Sequence, residues 1–88
     1  MNYDFNPEEL IRVTLAGNLT YLRHIRSPKL SQKAVARILN LPVKTIKNYE
    51  NAKSSPAAYA VLRLAVYYGY TMEDLLTKNL RKERTNEF

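Results

Sequence analysis

Between Pro42 and Asn51 the chain carries Val43, Lys44, Lys47, Asn48 and Asn51, at spacings of 0, 1, 4, 5 and 8 residues. On a helix these five share one face, while Ile46 and Tyr49 fall on the opposite face with Leu41 behind them. The outer face is therefore basic and amide-bearing. A lysine can reach guanine O6 and N7, an amide can pair with adenine N6 and N7, and a valine can pack on a thymine methyl. Such side chains suit base edges when the N-terminal turns of a helix enter a major groove. Lys44 and Asn48 are the leading candidates for base reading, with Val43 as an apolar contact and Lys47 reaching a base edge or a phosphate. The alternative is four solvated helix residues.

Two elements must position that face. From Ser31 the apolar or small residues Val35, Ala36, Ile38 and Leu39 fall three or four apart, which predicts a helix from about Ser31 to Leu39 with those residues inward. Ser31 is its natural N-cap. The break follows at Asn40, Leu41 and Pro42, because Asn tolerates a left-handed backbone and Pro has no N–H to continue a helix. A second helix then starts near Pro42, so Leu30 to Lys53 reads as helix, tight turn, helix. Ser31 and Gln32 stand where free backbone N–H groups and the helix dipole favour a phosphate. Lys33, Arg37, Asn51 and Lys53 are further phosphate candidates of lower specificity.

The charge is concentrated on this stretch. The chain has 88 residues and a net charge of +6. Residues 23 to 53 hold eight cations against Glu50 alone, a net +7, while the remainder nets −1 from six cations and seven carboxylates. That is the footprint of a surface that meets phosphates, although a solvated basic face that only aids solubility is the plain alternative. Eighty-eight residues make one small domain. Without cysteine there is no disulfide framework or thiolate metal site, which suits a reducing cytoplasm. Uncharged runs such as Ser54 to Leu62 stop far short of a membrane span. With one histidine, two glycines and no paired carboxylates beyond those at helix starts, no catalysis, metal or cofactor is expected. His24 has no second ligand near it in sequence.

Elsewhere the elements read as helices. Asn6-Pro7-Glu8-Glu9 is a start signal, and Ile11, Leu15, Leu19 and Leu22 form a stripe after it. Gly17 predicts either a bend or one rod to about Ile25. Arg26 to Lys29 forms a loop stiffened by Pro28 and able to touch phosphates. A fourth helix spans Ala57 to Tyr68 with Val61, Leu64, Ala65 and Tyr68 inward and Gly69 ending it. Thr71 caps a fifth, with Asp74 placed to reach back and Leu75-Leu76 returning to the core. From Asn79 the tail has no apolar periodicity and predicts fraying. Tyr21, Tyr49, Tyr68 and Tyr70 lie on or beside apolar stripes and read as core, whereas Tyr59 and Tyr67 suit a partner surface.

The joint register of Gln32, Val35, Ala36, Leu39, Leu41, Ile46, Tyr49 and Glu50-Asn51, followed by Lys53, resembles the Cro/C1-type (XRE) helix-turn-helix family. Pro56, Val61, Leu62, Leu64, Ala65, Gly69, Thr71 and Leu75-Leu76 extend the likeness, which covers about 60 of 88 residues. The resemblance implies an all-α, five-helix, lambda repressor-like fold with an N-terminal helical extension. On that division 1–88 is a single domain, with the extension at 6–16, the family domain at 17–78 and a flexible charged tail at 79–88. It also implies a partly buried ion pair between Arg23 and Glu50, and base contacts from Val43, Lys44, Lys47 and Asn48. Ala52 departs from the family, which usually has Gly there, and the loop before Leu30 is two residues longer than its commonest form. The function implied is a cytoplasmic, sequence-specific regulator of transcription that binds double-stranded DNA, a repressor of bacterial or phage type. It would be homodimeric at least on a palindromic operator. The rival is a protein-interaction module of the same fold, an antirepressor or antitoxin, holding a protein partner through the extension or the tyrosine-bearing helix.

Overall fold

Six helices make up the computed structural model, which describes residues 7–86: α1 (Pro7–Ile25), α2 (Gln32–Leu39), α3 (Val43–Glu50), α4 (Ala58–Tyr68), α5 (Met72–Thr77) and α6 (Leu80–Asn86). Asn6, expected to cap the first helix, lies outside the described residues. α1 starts with Pro7, Glu8 and Glu9, a fixed φ followed by carboxylates at the positive end of the dipole. It runs through Gly17 without interruption to Ile25. Leu15, Leu19 and Leu22 on one side of it are buried and form the spine against which α3 and α5 pack.

The core closes around that spine with Val35, Ala36 and Leu39 from α2, Ile46 and Tyr49 from α3, Val61, Leu64 and Ala65 from α4, and Leu75 from α5. Ala60, for which no inward role was expected, is buried as well. Ile38, expected inward, is instead 54% exposed. The reason is angular: Val35, Ala36 and Leu39 centre the buried side of α2, and a residue one step before Leu39 lies about 100° from that centre. Leu62 is likewise exposed, on the outer side of α4.

The structure has six helices rather than five because the chain does not fray at Asn79. Asn79 Oδ1 accepts from the Lys82 N–H at 3.0 Å, capping α6, and Leu80 is buried. The deeper cause is Asn18. This buried side chain donates through Nδ2 to the carbonyls of Leu75 (2.8 Å) and Lys78 (2.7 Å), and its Oδ1 accepts from Leu80 N–H at 3.1 Å. Helix ends leave backbone groups without intrahelical partners, and one amide here serves the end of α5 and the start of α6 together.

Other ends are closed as their residues dictate. Gly69 terminates α4 at φ 82. Thr71 Oγ1 accepts from Asp74 N–H at 3.0 Å, and the Asp74 carboxylate pairs with Lys78 at 3.3 Å, which raises the Lys78 pKa through that hydrogen bond. α4 begins at Ala58 after Ala57, which has no capping side chain. The buried Tyr49 hydroxyl instead takes the N–H of Ala57 itself at 2.8 Å, which ties the start of α4 to α3. Arg26, on the loop expected near phosphates, is committed to α4: it donates to the Tyr67 carbonyl at 3.0 Å and lies 4.4 Å from the Tyr67 ring centroid. No helix is long and apolar enough to cross a membrane among the described residues.

Candidate nucleic-acid interface

α2 and α3 are held at a fixed angle by a short turn. Ser31 Oγ accepts from Ala34 N–H at 3.0 Å and starts α2. Asn40 ends it in a left-handed conformation, φ 56 and ψ 44, while Leu41 N–H donates to the Ala36 carbonyl at 2.9 Å. Pro42 then stands at the N-cap of α3 in extended backbone with no side-chain cap. The first N–H groups of α3 thus remain open at its positive end.

α3 buries Ile46 and Tyr49 and turns Val43, Lys44 and Lys47 outward, with Asn48 half-buried beside them and Asn51 exposed past the end. None of the Lys44, Lys47 and Asn48 side chains has a hydrogen-bond partner among the described residues. Lys33 and Arg37 on α2 and Lys53 beyond α3 are exposed and equally uncommitted. Ser31 is exposed, with its hydroxyl occupied in capping.

The opposite end of α3 is fully engaged. Glu50 receives Arg23 Nε at 2.9 Å and Arg23 Nη2 at 2.9 Å, a bidentate fork, and also Gln32 Nε2 at 2.9 Å. Arg23 Nη1 donates to the Leu30 carbonyl at 3.1 Å. With side chains only 12% and 5% exposed, Arg23 and Glu50 lock α1, the entrance to α2 and the last turn of α3 into one unit. The Glu50 hydrogen bond raises the Arg23 pKa above its ordinary value, against the lowering effect of burial. Gln32 therefore faces inward through its amide, and an anion at the start of α2 would meet its backbone N–H rather than its side chain.

The loop after α3 contains the one non-glycine strain point of the site besides Asn40. Ala52 stands at φ 57, with its N–H donating to the Tyr49 carbonyl at 3.2 Å and Lys53 N–H donating to the Asn48 carbonyl at 2.8 Å. This wraps the chain over the end of α3 and sets the direction in which Lys53 leaves it. A β-carbon in that conformation costs about 1 to 2 kcal/mol.

Sequence reasoning missed Asn18, the Tyr49 hydroxyl and the inward turn of Gln32. Asn18 gave one signal, since it falls three residues after Leu15 and four before Leu22, on the inward side of α1. His24 is exposed, its Nδ1 2.6 Å from the Thr20 carbonyl, and no group of three or more His, Asp or Glu that could hold a metal ion occurs among the described residues.

A family model described as helix-turn-helix matches residues 26–75, more than half of the chain, covering α2, α3 and α4 and ending within α5. No curated protein and no solved structure matches the chain.

Proposed function

The chain belongs to the Cro/C1-type helix-turn-helix family of DNA-binding regulators, and from that premise we propose a sequence-specific repressor of bacterial or phage type acting on double-stranded DNA. The observation that carries the reading is the outward face of α3, where Val43, Lys44, Lys47 and Asn48 stand together with no side-chain hydrogen-bond partner among the described residues. Inserted in a major groove, Lys44 and Lys47 would meet guanine acceptors, Asn48 an adenine, and Val43 a thymine methyl. The open N-terminus of α2 at Ser31 and Gln32 would take one phosphate. Lys33, Arg37, Asn51 and Lys53 would take others along the backbone.

In this reading the fold needs no ligand to read DNA, and the chain binds a palindromic operator as two copies related by a two-fold axis. Selection of bound sequences from a random duplex pool tests it. The expected result is an enriched inverted repeat, with affinity that falls with salt at a log–log slope of roughly −4 to −5 per copy. No enrichment and no shift at low salt would contradict it and favour the antirepressor or antitoxin reading.

A further inference from the structure

Three consecutive residues at the start of α2 are each held by a different part of the molecule. The Leu30 carbonyl accepts Arg23 Nη1 at 3.1 Å, Ser31 Oγ accepts the Ala34 N–H at 3.0 Å, and Gln32 Nε2 donates to Glu50 Oε1 at 2.9 Å. The first two contacts shape the backbone and its cap. The third is different in kind, because it runs from the first residue of α2 to the last residue of α3, 18 positions along the chain. Among the described residues no other side-chain hydrogen bond joins these two helices.

The chemistry of that contact explains an amide at position 32. Arg23 already neutralises Glu50 through its fork, so an amide adds a donor with no further charge. A carboxylate there would face Glu50 with like charge, and a methionine of similar length would leave Glu50 one donor fewer. Turning the side chain inward leaves the outer side of the turn open. Ser31 takes the Ala34 N–H with its hydroxyl and the Val35 N–H with its carbonyl, each at 3.0 Å. The N–H groups of Gln32 and Lys33 have no partner among the described residues. No acidic residue stands in this first turn, and Lys33 adds a cation to it.

We propose that Gln32 is a positioning residue for DNA binding: acting through Glu50, it fixes those two N–H groups relative to the reading face of α3, and its side chain does not touch DNA. The inference rests on the reading above, in which the start of α2 takes a phosphate. A phosphate contact helps only if it is in reach when Lys44 and Asn48 enter the groove. A first turn free to shift would have to be ordered at the moment of binding, and that ordering subtracts from affinity. Because a backbone contact carries no sequence information, the contribution of Gln32 is the same on every duplex.

The experiment measures binding of the full chain to the selected operator and to a scrambled duplex of equal length, for wild type and Gln32→Met. With the Arg23 fork left on Glu50, the variant melts within a few degrees of wild type and loses roughly three- to tenfold in affinity on both duplexes. A merely structural side chain would move the melt and leave binding by the folded protein unchanged. The comparison is repeated in a background where Arg23→Met and Glu50→Leu remove the acceptor. There Gln32→Met changes affinity by less than about twofold, the non-additivity of residues that act as a unit. The same loss in both backgrounds would mean that the side chain touches a phosphate directly, and would overturn the proposal. A further readout needs no altered background: solvent exchange of the Gln32 side-chain NH2, followed by NMR, is slowed in free wild type and stays slowed on the operator. Fast exchange in the free protein, protection that arises only on DNA, or full affinity of Gln32→Met would each overturn the inference alone. Failure of wild type to bind either duplex is a separate outcome, which overturns the DNA reading and this inference with it.

Discussion

The two ends of α3 treat polar groups in opposite ways. At its C-terminal end Glu50 accepts three side-chain hydrogen bonds, two from Arg23 and one from Gln32, and almost none of it meets water. Along its outer face Lys44, Lys47 and Asn48 have no hydrogen-bond partner among the described residues. Buried polar groups must be satisfied within the fold, whereas exposed ones are satisfied by water until something displaces it. The difference separates what the helix contributes to holding the bundle from what it holds ready for another molecule. Substitutions at the first end should change stability, and those along the second should leave it nearly unchanged.

Glu50→Ala should break that comparison most severely. It leaves the Arg23 guanidinium, 12% exposed, without its carboxylate, a loss of about 3 to 5 kcal/mol. Replacing Arg23 and Glu50 together by apolar residues should cost less than the single change. Thermal melts of the single and double variants check this, and single variants melting within a degree of wild type would contradict it. A neutral node gives the next largest effect. Asn18→Ala deprives two carbonyls and one N–H of their partner, and should cost about 2 to 4 kcal/mol in urea unfolding and release α6. Loss of amide protection confined to residues 79–86 would be its signature in hydrogen exchange.

The node at Glu50 and the node at Asn18 also differ in how readable they were. The helix-turn-helix is written in local chemistry: Ser31 caps, Asn40 takes the left-handed turn, Pro42 restarts the chain, and Ile46 and Tyr49 mark the buried side. Each of those signals acts within four residues. Asn18 instead meets carbonyls 57 and 60 residues away, and nothing near Gly17 announces a partner at Leu75 or Lys78. For the same reason α6 was invisible. Leu80 is its one buried apolar residue, too little for a periodic pattern, and its stability comes from Asn18 and Asn79. Gln32 and Arg26 looked available because charge and amide content do not reveal direction. Only the fold shows Gln32 turned to Glu50 and Arg26 laid on Tyr67.

A smaller effect sharpens the boundary between the two ends. Ala52→Gly should relieve the left-handed backbone at φ 57 and, after the extra entropy of glycine in the unfolded chain, stabilise by about 0.5 to 1 kcal/mol. Its melting temperature should rise, and a fall would mean that the loop does not hold Ala52 in that conformation.

Alkaline pH probes the region around Glu50 more gently. Burial, with the Glu50 charge adding to it, pushes the Tyr68 hydroxyl from 10.0 up to about 12. A phenol whose folded pKa is raised contributes stability that is complete below its unfolded value and is lost as pH rises through the folded one. Wild type should therefore lose more stability than Tyr68→Phe between pH 10 and 12. Parallel declines in melts across that range would contradict the assignment.

The measurement that tests the central claim most directly separates reading from positioning. Binding curves for four variants are taken on the selected operator and on its single-base variants, at two salt concentrations. Lys44→Ala and Asn48→Ala should each lose about 1 to 3 kcal/mol on the operator, relax preference at one or two base pairs, and melt like wild type. Arg37→Ala and Lys53→Ala should weaken all sequences equally and make the salt slope shallower by about one. Full discrimination retained by both Lys44→Ala and Asn48→Ala would show that the outer face of α3 does not read the groove.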